Sequence, residues 1–132
     1  MIELKKYTNS GSFSFKLVDN LNKICNAPKD KAGIYCIYAL KNKQRELVYI
    51  GISGRIKSDG ILFIRKDGIK GRLVKGKRDG KSRKNYWLRE IENEKLDSLE
   101  VNWFVTHNEQ YIDCPKIIET LLVKKYNPRW NR

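Results

Sequence analysis

The chain has 132 residues, with 28 Lys and Arg against 15 Asp and Glu, a formal net charge of +13, and a hydrophobic fraction of 40%. That length suits one domain spanning 1–132 with its own core, and that apolar content excludes a disordered polymer. No apolar run approaches the ~20 residues that span a bilayer and Met1–Ser12 lacks the apolar stretch of a signal peptide, so a soluble, cytoplasmic protein with no membrane partner is expected.

In chain order, residues 13–26 read as an N-terminal helix. Leu17, Val18, Leu21 and Ile24 follow helical spacing, Ser12 or Ser14 is available as cap, and Pro28 lies beyond the end. "GIYCIYAL" and "ELVYIGI" are rich in strand formers, and a loop around Asn42–Arg45 joins them as an antiparallel hairpin. After Gly54 the chain turns basic, punctuated by "SDG", "KDG" and "RDG". Within it, "GILFIR" suits a short strand and "GIKGRLVKG" a short helix. "NYWLREIENEKL" predicts a helix with Trp87, Leu88 and Ile91 on one side. "SLEVNWFVTH" reads as a third main strand. "DCPKIIETLLVKKYN" closes as a helix, with Asp113 as cap, Pro115 in the first turn, and Lys124 and Lys125 at the negative end of the dipole. The order α-β-β-α-α-β-α predicts an α+β fold.

The three cysteines, Cys25, Cys36 and Cys114, are odd in number and far apart, which argues for reduced core residues rather than a disulfide framework or zinc site. A single histidine, His107, nearly excludes a histidine cluster or a Ser–His–Asp triad; it is placed at a strand end without a catalytic role. The cationic excess favours a polyanionic partner, most often nucleic acid. It is uneven: thirteen of the 28 Lys and Arg fall between Arg55 and Arg89, against three Asp.

Glu119 is the one acid in "PKIIETLLVKKY" that shares a side with apolar residues, lying about 100° around the helix from Ile118. Either it is a boundary glutamate, solvated or paired with a lysine, or it is a metal ligand or acid–base group. In a basic setting, one carboxylate suits Mg²⁺ or Mn²⁺ held against a phosphate. Asn131 is either a frayed terminal residue or one pinned by its neighbours Pro128 and Trp130. Arg72, alone, reads as an ordinary surface or phosphate-contacting cation. Tyr35 and Tyr49 read as half-buried strand tyrosines.

Together these residues resemble the GIY-YIG endonuclease superfamily: GIY at Gly33–Tyr35, YIG at Tyr49–Gly51, the arginine of "GRL" at Arg72, Glu119 in the last helix, and Asn131 after "NPRW". The resemblance covers residues 33–131. It implies a small three-stranded antiparallel sheet flanked by helices, and hydrolysis of nucleic-acid phosphodiesters with one divalent metal, Mg²⁺ or Mn²⁺. By the same resemblance Glu119 holds the metal and Arg72 stabilises charge on the phosphate or leaving group. Tyr35 and Tyr49 face the site, with Tyr49 the one to help deprotonate water, and Asn131 fixes the end of the last helix. Arg72 lies twenty-one residues after Gly51, farther than in many members. Residues 53–70 therefore read as a basic insertion after the second strand, and Arg55, Arg65 and Arg83 stay open as alternatives.

Lys70, Lys75, Lys77, Arg78, Lys81, Arg83 and Lys84 are the expected backbone-phosphate contacts, which add affinity without sequence information. The substrate expected is DNA, with RNA as the alternative, and a homodimer or a targeting partner would supply specificity. The competing function is a non-catalytic basic nucleic-acid-binding module.

Overall fold

A computed structural model describes residues 1–78 and 81–132, the side chains of Arg78 and Lys81 excepted. Its strands are β1 (Ser10–Phe15), β2 (Gly33–Lys41), β3 (Gln44–Ser53), β4 (Arg55–Ile56), β5 (Leu62–Phe63), β6 (Lys77–Arg78), β7 (Lys81–Ser82) and β8 (Ser98–Val105). Its helices are α1 (Leu21–Ile24), α2 (Gly68–Lys75), α3 (Arg83–Glu94) and α4 (Pro115–Tyr126), with 3₁₀ turns at Ile2–Leu4 and Arg129–Asn131. The class is α+β. The main sheet is antiparallel in the order β1-β8-β2-β3, while β4–β5 and β6–β7 form separate two-residue ladders.

The sheet has four strands where three were expected, because the segment read as an N-terminal helix over 13–26 is mostly not helical. "SGSFSF" alternates with period two. Phe13 and Phe15 turn to the core, and β1 pairs with β8 through Phe13–Val101 and Phe15–Leu99. Leu17 and Val18, the start of the supposed helical stripe, are exposed. Only one turn, α1, is helical, and the Asn20 side chain caps it by accepting from the Lys23 N–H at 3.3 Å.

β2 is central and covered on both faces. Tyr35, Ile37 and Ala39 join Phe15, Leu73, Trp87 and Ile91 in one cluster. Ile34, Cys36 and Tyr38 join Leu4, Tyr7 and Leu122 in the other. Thus α2 and α3 cover one face, and α4 with the N-terminal turn covers the opposite one. A continuous apolar run such as "GIYCIYAL" is what a strand buried on both faces requires. Cys25 and Cys36 are buried and Cys114 is half-buried, all as free thiols.

The hairpin turn is tighter than the expected loop. Asn42 and Lys43 both have positive φ, 51° and 66°, the primed turn that matches strand twist. In α4, Pro115 occupies the first turn as expected, but Cys114 rather than Asp113 is at the N-cap. Asp113 is engaged elsewhere: the Tyr7 hydroxyl donates to it at 2.5 Å and Lys6 lies 3.2 Å away. His107 sits just past β8, bridging to Ile112. No described helix is long and apolar enough to cross a membrane.

Candidate functional site

Two strand tyrosines share a site only if they share a face, and here a register shift decides it. The hairpin pairs regularly from Lys41–Gln44 to Tyr38–Leu47, then slips by one residue, so that Ile37 opposes Tyr49 and Tyr35 opposes Gly51. Val48 is the extra residue of a β-bulge. Without it, Tyr35 would oppose Ile50, and Tyr49 would point to the other face. The bulge lets Leu47 pack with Ile34 and Tyr38 while Tyr49 turns to the side of Tyr35. The two rings lie 6.1 Å apart, tilted by 35°.

The motif glycines have packing reasons of their own. A Cβ on Gly51 would run into the Tyr35 ring and hydroxyl, and one on Gly33 would collide with the Phe104 carbonyl. The Tyr35 ring therefore lies across the bare Gly51 backbone. Gly51→Ala is expected to lower stability by about 1–3 kcal/mol through displacement of that fully buried ring. Urea unfolding measures this, and an unchanged midpoint would mean the ring does not lie there.

Arginines approach the tyrosines from α2, from α3 and from the loop before α2. The Arg83 guanidinium, at the start of α3, sits 5.6 Å from the centres of both rings and 6.0 Å from that of Trp87. Arg72, on α2, approaches the Tyr35 hydroxyl closely enough to favour its ionised form, though not in hydrogen-bond geometry. Arg65 precedes α2. Burial first, then the neighbouring Arg72 and Arg83, press its guanidinium below its ordinary value, with Tyr35 opposing. Burial dominates at Tyr35 too, pushing its phenol up to about 12 despite the pull of Arg83 and Arg72. Tyr35 is thus a neutral hydroxyl near pH 7. Tyr49 is half-buried and reaches solvent.

Glu119 comes from α4. Pro115, Ile118, Glu119 and Leu122, at helical spacing, make the inward side, whereas Ile117 and Leu121 are 63% and 64% exposed. The Glu119 side chain is only 15% exposed, and Lys116 holds its Oε1 at 2.8 Å. Lys116 is raised above its ordinary range, chiefly by Glu119 and to a smaller extent by Tyr49. α4, which carries the ion pair, packs against β3, the strand of Tyr49. Lys116 was not singled out in the sequence, although its i,i+3 spacing to Glu119 was a usable signal.

Asn131 is not frayed. Its side chain accepts from the Ile50 N–H at 2.9 Å and donates to the Ile50 carbonyl at 2.8 Å. β3 is an edge strand, so these backbone groups would otherwise lack a strand partner. The clamp lies one residue from Tyr49. Arg129 steadies the same segment through both carboxylate oxygens of Glu94, at 2.9 and 2.5 Å, and through Glu46 at 2.9 Å.

The expected phosphate-contacting set divides. Arg83 does not belong to the surface: it is 2% exposed, because its side chain turns inward against Tyr35, Tyr49 and Trp87. Lys70 and Lys75 line a hollow of about 280 Å³ with Lys29 and Asp67, separate from Arg72, and Asp67 holds Lys75 at 2.9 Å. Lys77 and Lys84 are exposed. The side chains of Arg78 and Lys81 lie outside the described residues. Arg55, Arg65 and Arg72 meet in an open depression of about 370 Å³ beside Phe63. A larger hollow of about 810 Å³ lies at the hairpin turn, lined by polar groups of both signs and by none of the tyrosines.

No group of three or more His, Cys, Asp or Glu is placed to cage a metal among the described residues. Glu119 alone fits a different kind of ion, one that keeps most of its waters and takes a single protein carboxylate together with a substrate phosphate. Lys116 shows that the carboxylate already accepts a cation. Neither a protein-family model nor a curated protein matches the chain.

Proposed function

We propose that this chain is a divalent-metal-dependent endonuclease that hydrolyses DNA phosphodiester bonds, with the α+β sheet serving as a GIY-YIG-like scaffold. The observation that carries the reading is the bulge-dependent gathering of Tyr35 and Tyr49 on one face, against Arg72 and Arg83, with α4 and its Lys116–Glu119 pair packed against β3, the strand of Tyr49. Glu119 would hold the Mg²⁺ or Mn²⁺. When bound, that ion supplies positive charge for the developing phosphorane and lowers the pKa of water. Arg72 binds a phosphate oxygen and stabilises the charge that gathers there. Tyr49, in contact with solvent, would act as the phenolate: having first given its own proton to solvent, it takes the proton of the attacking water. Tyr35 stays protonated, and its ring packs across the Gly51 backbone beside Tyr49. Arg83 is a buried fixed cation that orients both rings. Asn131 holds β3 at Ile50, so the position of Tyr49 does not drift.

A satisfied Lys116–Glu119 pair also favours the second reading, a non-catalytic nucleic-acid-binding module. Incubation with supercoiled plasmid separates them. The nuclease nicks it in Mg²⁺ or Mn²⁺ and not in EDTA; no nicking under any of these conditions removes the enzyme reading. Single-stranded DNA and structured RNA run in parallel test the substrate class. A homodimer or targeting partner supplies site selection in this proposal, and the cytoplasm is where it acts.

A further inference from the structure

The segment between β3 and α2 exposes apolar side chains beside the arginines. Phe63 is 46% exposed, Ile61 59% and Ile64 41%. Of these, Phe63 lines the depression formed by Arg55, Arg65 and Arg72. The segment has local order. The Lys57 N–H donates to the Ile61 carbonyl at 2.9 Å, the Gly60 N–H to the Lys57 carbonyl at 2.9 Å, and the Ile61 N–H to the Asp59 carboxylate at 3.0 Å. β4 and β5 place Arg55 directly opposite Phe63, with the guanidinium carbon 5.4 Å from the ring centre. Arg65 and Arg72 complete the same depression.

An aromatic face surrounded by cations of one sign is matched by a ligand that is flat and carries phosphate. We propose that the β4–β5 hairpin is a base-stacking subsite: Phe63 receives the face of one unpaired DNA base while Arg55 and Arg65 hold the phosphates on either side. The inference rests on the nucleic-acid reading of the arginine cluster. The base must be unpaired because in an intact duplex both of its faces are covered by neighbours. An acidic protein would satisfy the arginines but gives no reason for an accessible ring among them. Stacking on an aromatic side chain is tolerant of base identity, so the subsite selects distorted or single-stranded positions rather than a sequence.

The test uses two short DNA duplexes in metal-free buffer, one carrying a single unpaired 2-aminopurine and one fully paired. The protein is expected to bind the first about tenfold more tightly and to quench its fluorescence. Phe63→Ala is expected to lose that preference and the quenching while binding the paired duplex as the parent does, which also shows that the variant is folded. Phe63→Trp is expected to restore both. Equal affinity of the parent for both duplexes overturns the proposal, as does a Phe63→Ala variant that keeps the quenching or is weakened equally on both. Cleavage plays no part in the readout. A protein that stacks the base but never nicks plasmid loses the nuclease reading and keeps the subsite; one that nicks without discriminating loses the subsite alone.

Discussion

Glu119→Gln is expected to reduce plasmid nicking in Mg²⁺ or Mn²⁺ to below about one-thousandth of the parental rate, because in the proposed mechanism several kcal/mol of transition-state stabilisation would depend on the metal's charge. The amide keeps the size and shape of the side chain, so packing of α4 against the sheet is preserved. It releases Lys116, whose side chain is 66% exposed, and a pair that open to solvent contributes about 1 kcal/mol or less. The variant should therefore unfold near the parental midpoint. Removing a negative charge from a basic surface should leave DNA binding equal or slightly tighter. Nicking assays beside metal-free anisotropy give the two readouts. A variant that still nicks at the parental rate removes Glu119 from the site, whereas one that loses binding as well would assign it a structural part.

Arg72→Ala is expected to slow turnover by about 10²–10³-fold, the cost of removing one preorganised donor from a charge-gathering centre. Binding should weaken only modestly, since one phosphate contact among many is lost. Arg72→Lys should recover part of the rate, because it returns the charge without the planar fork. Arg55 lies opposite Phe63 on the surface hairpin and holds a phosphate in the proposed subsite, so Arg55→Ala is expected to weaken DNA binding while turnover at saturating DNA falls far less than in Arg72→Ala. Arg83 differs from both. Buried beneath two tyrosines and Trp87, its replacement by alanine leaves a cavity in the core and should appear first as a lower thermal midpoint. Turnover lost with Arg55→Ala, and kept with Arg72→Ala, would move the catalytic role to the hairpin.

Much of the candidate site was legible before folding was considered. Glu119 stood out because one acid among Ile118, Leu122 and Val123 breaks a helical pattern, and it does lie on the inward side of α4. The β2–β3 hairpin and the helices α3 and α4 follow from periodicity and turn chemistry. The N-terminal segment reads as a helix because Leu17, Val18, Leu21 and Ile24 mimic a helical face. The competing alternation of "SFSF" wins because β8 offers an edge on which Phe13 and Phe15 can be buried. Likewise, a stretch as basic as 55–89 gives every arginine the look of a surface cation, and nothing local distinguishes Arg83 from Lys84.

The amino-acid sequence by itself determined an α+β chain with a cationic excess, a glycine–tyrosine hairpin and a lone glutamate at the boundary of the apolar face of the last helix. These are local properties, set by side-chain period, backbone preference and charge. Only the tertiary structure decided that Tyr49 shares a face with Tyr35, that Arg83 is buried beneath both, and that Asn131 is bonded to Ile50. Each of these depends on pairing partners far away in the chain. A one-residue slip at Val48 is enough to exchange the two faces of a strand, and no local pattern in "ELVYIGI" reports it.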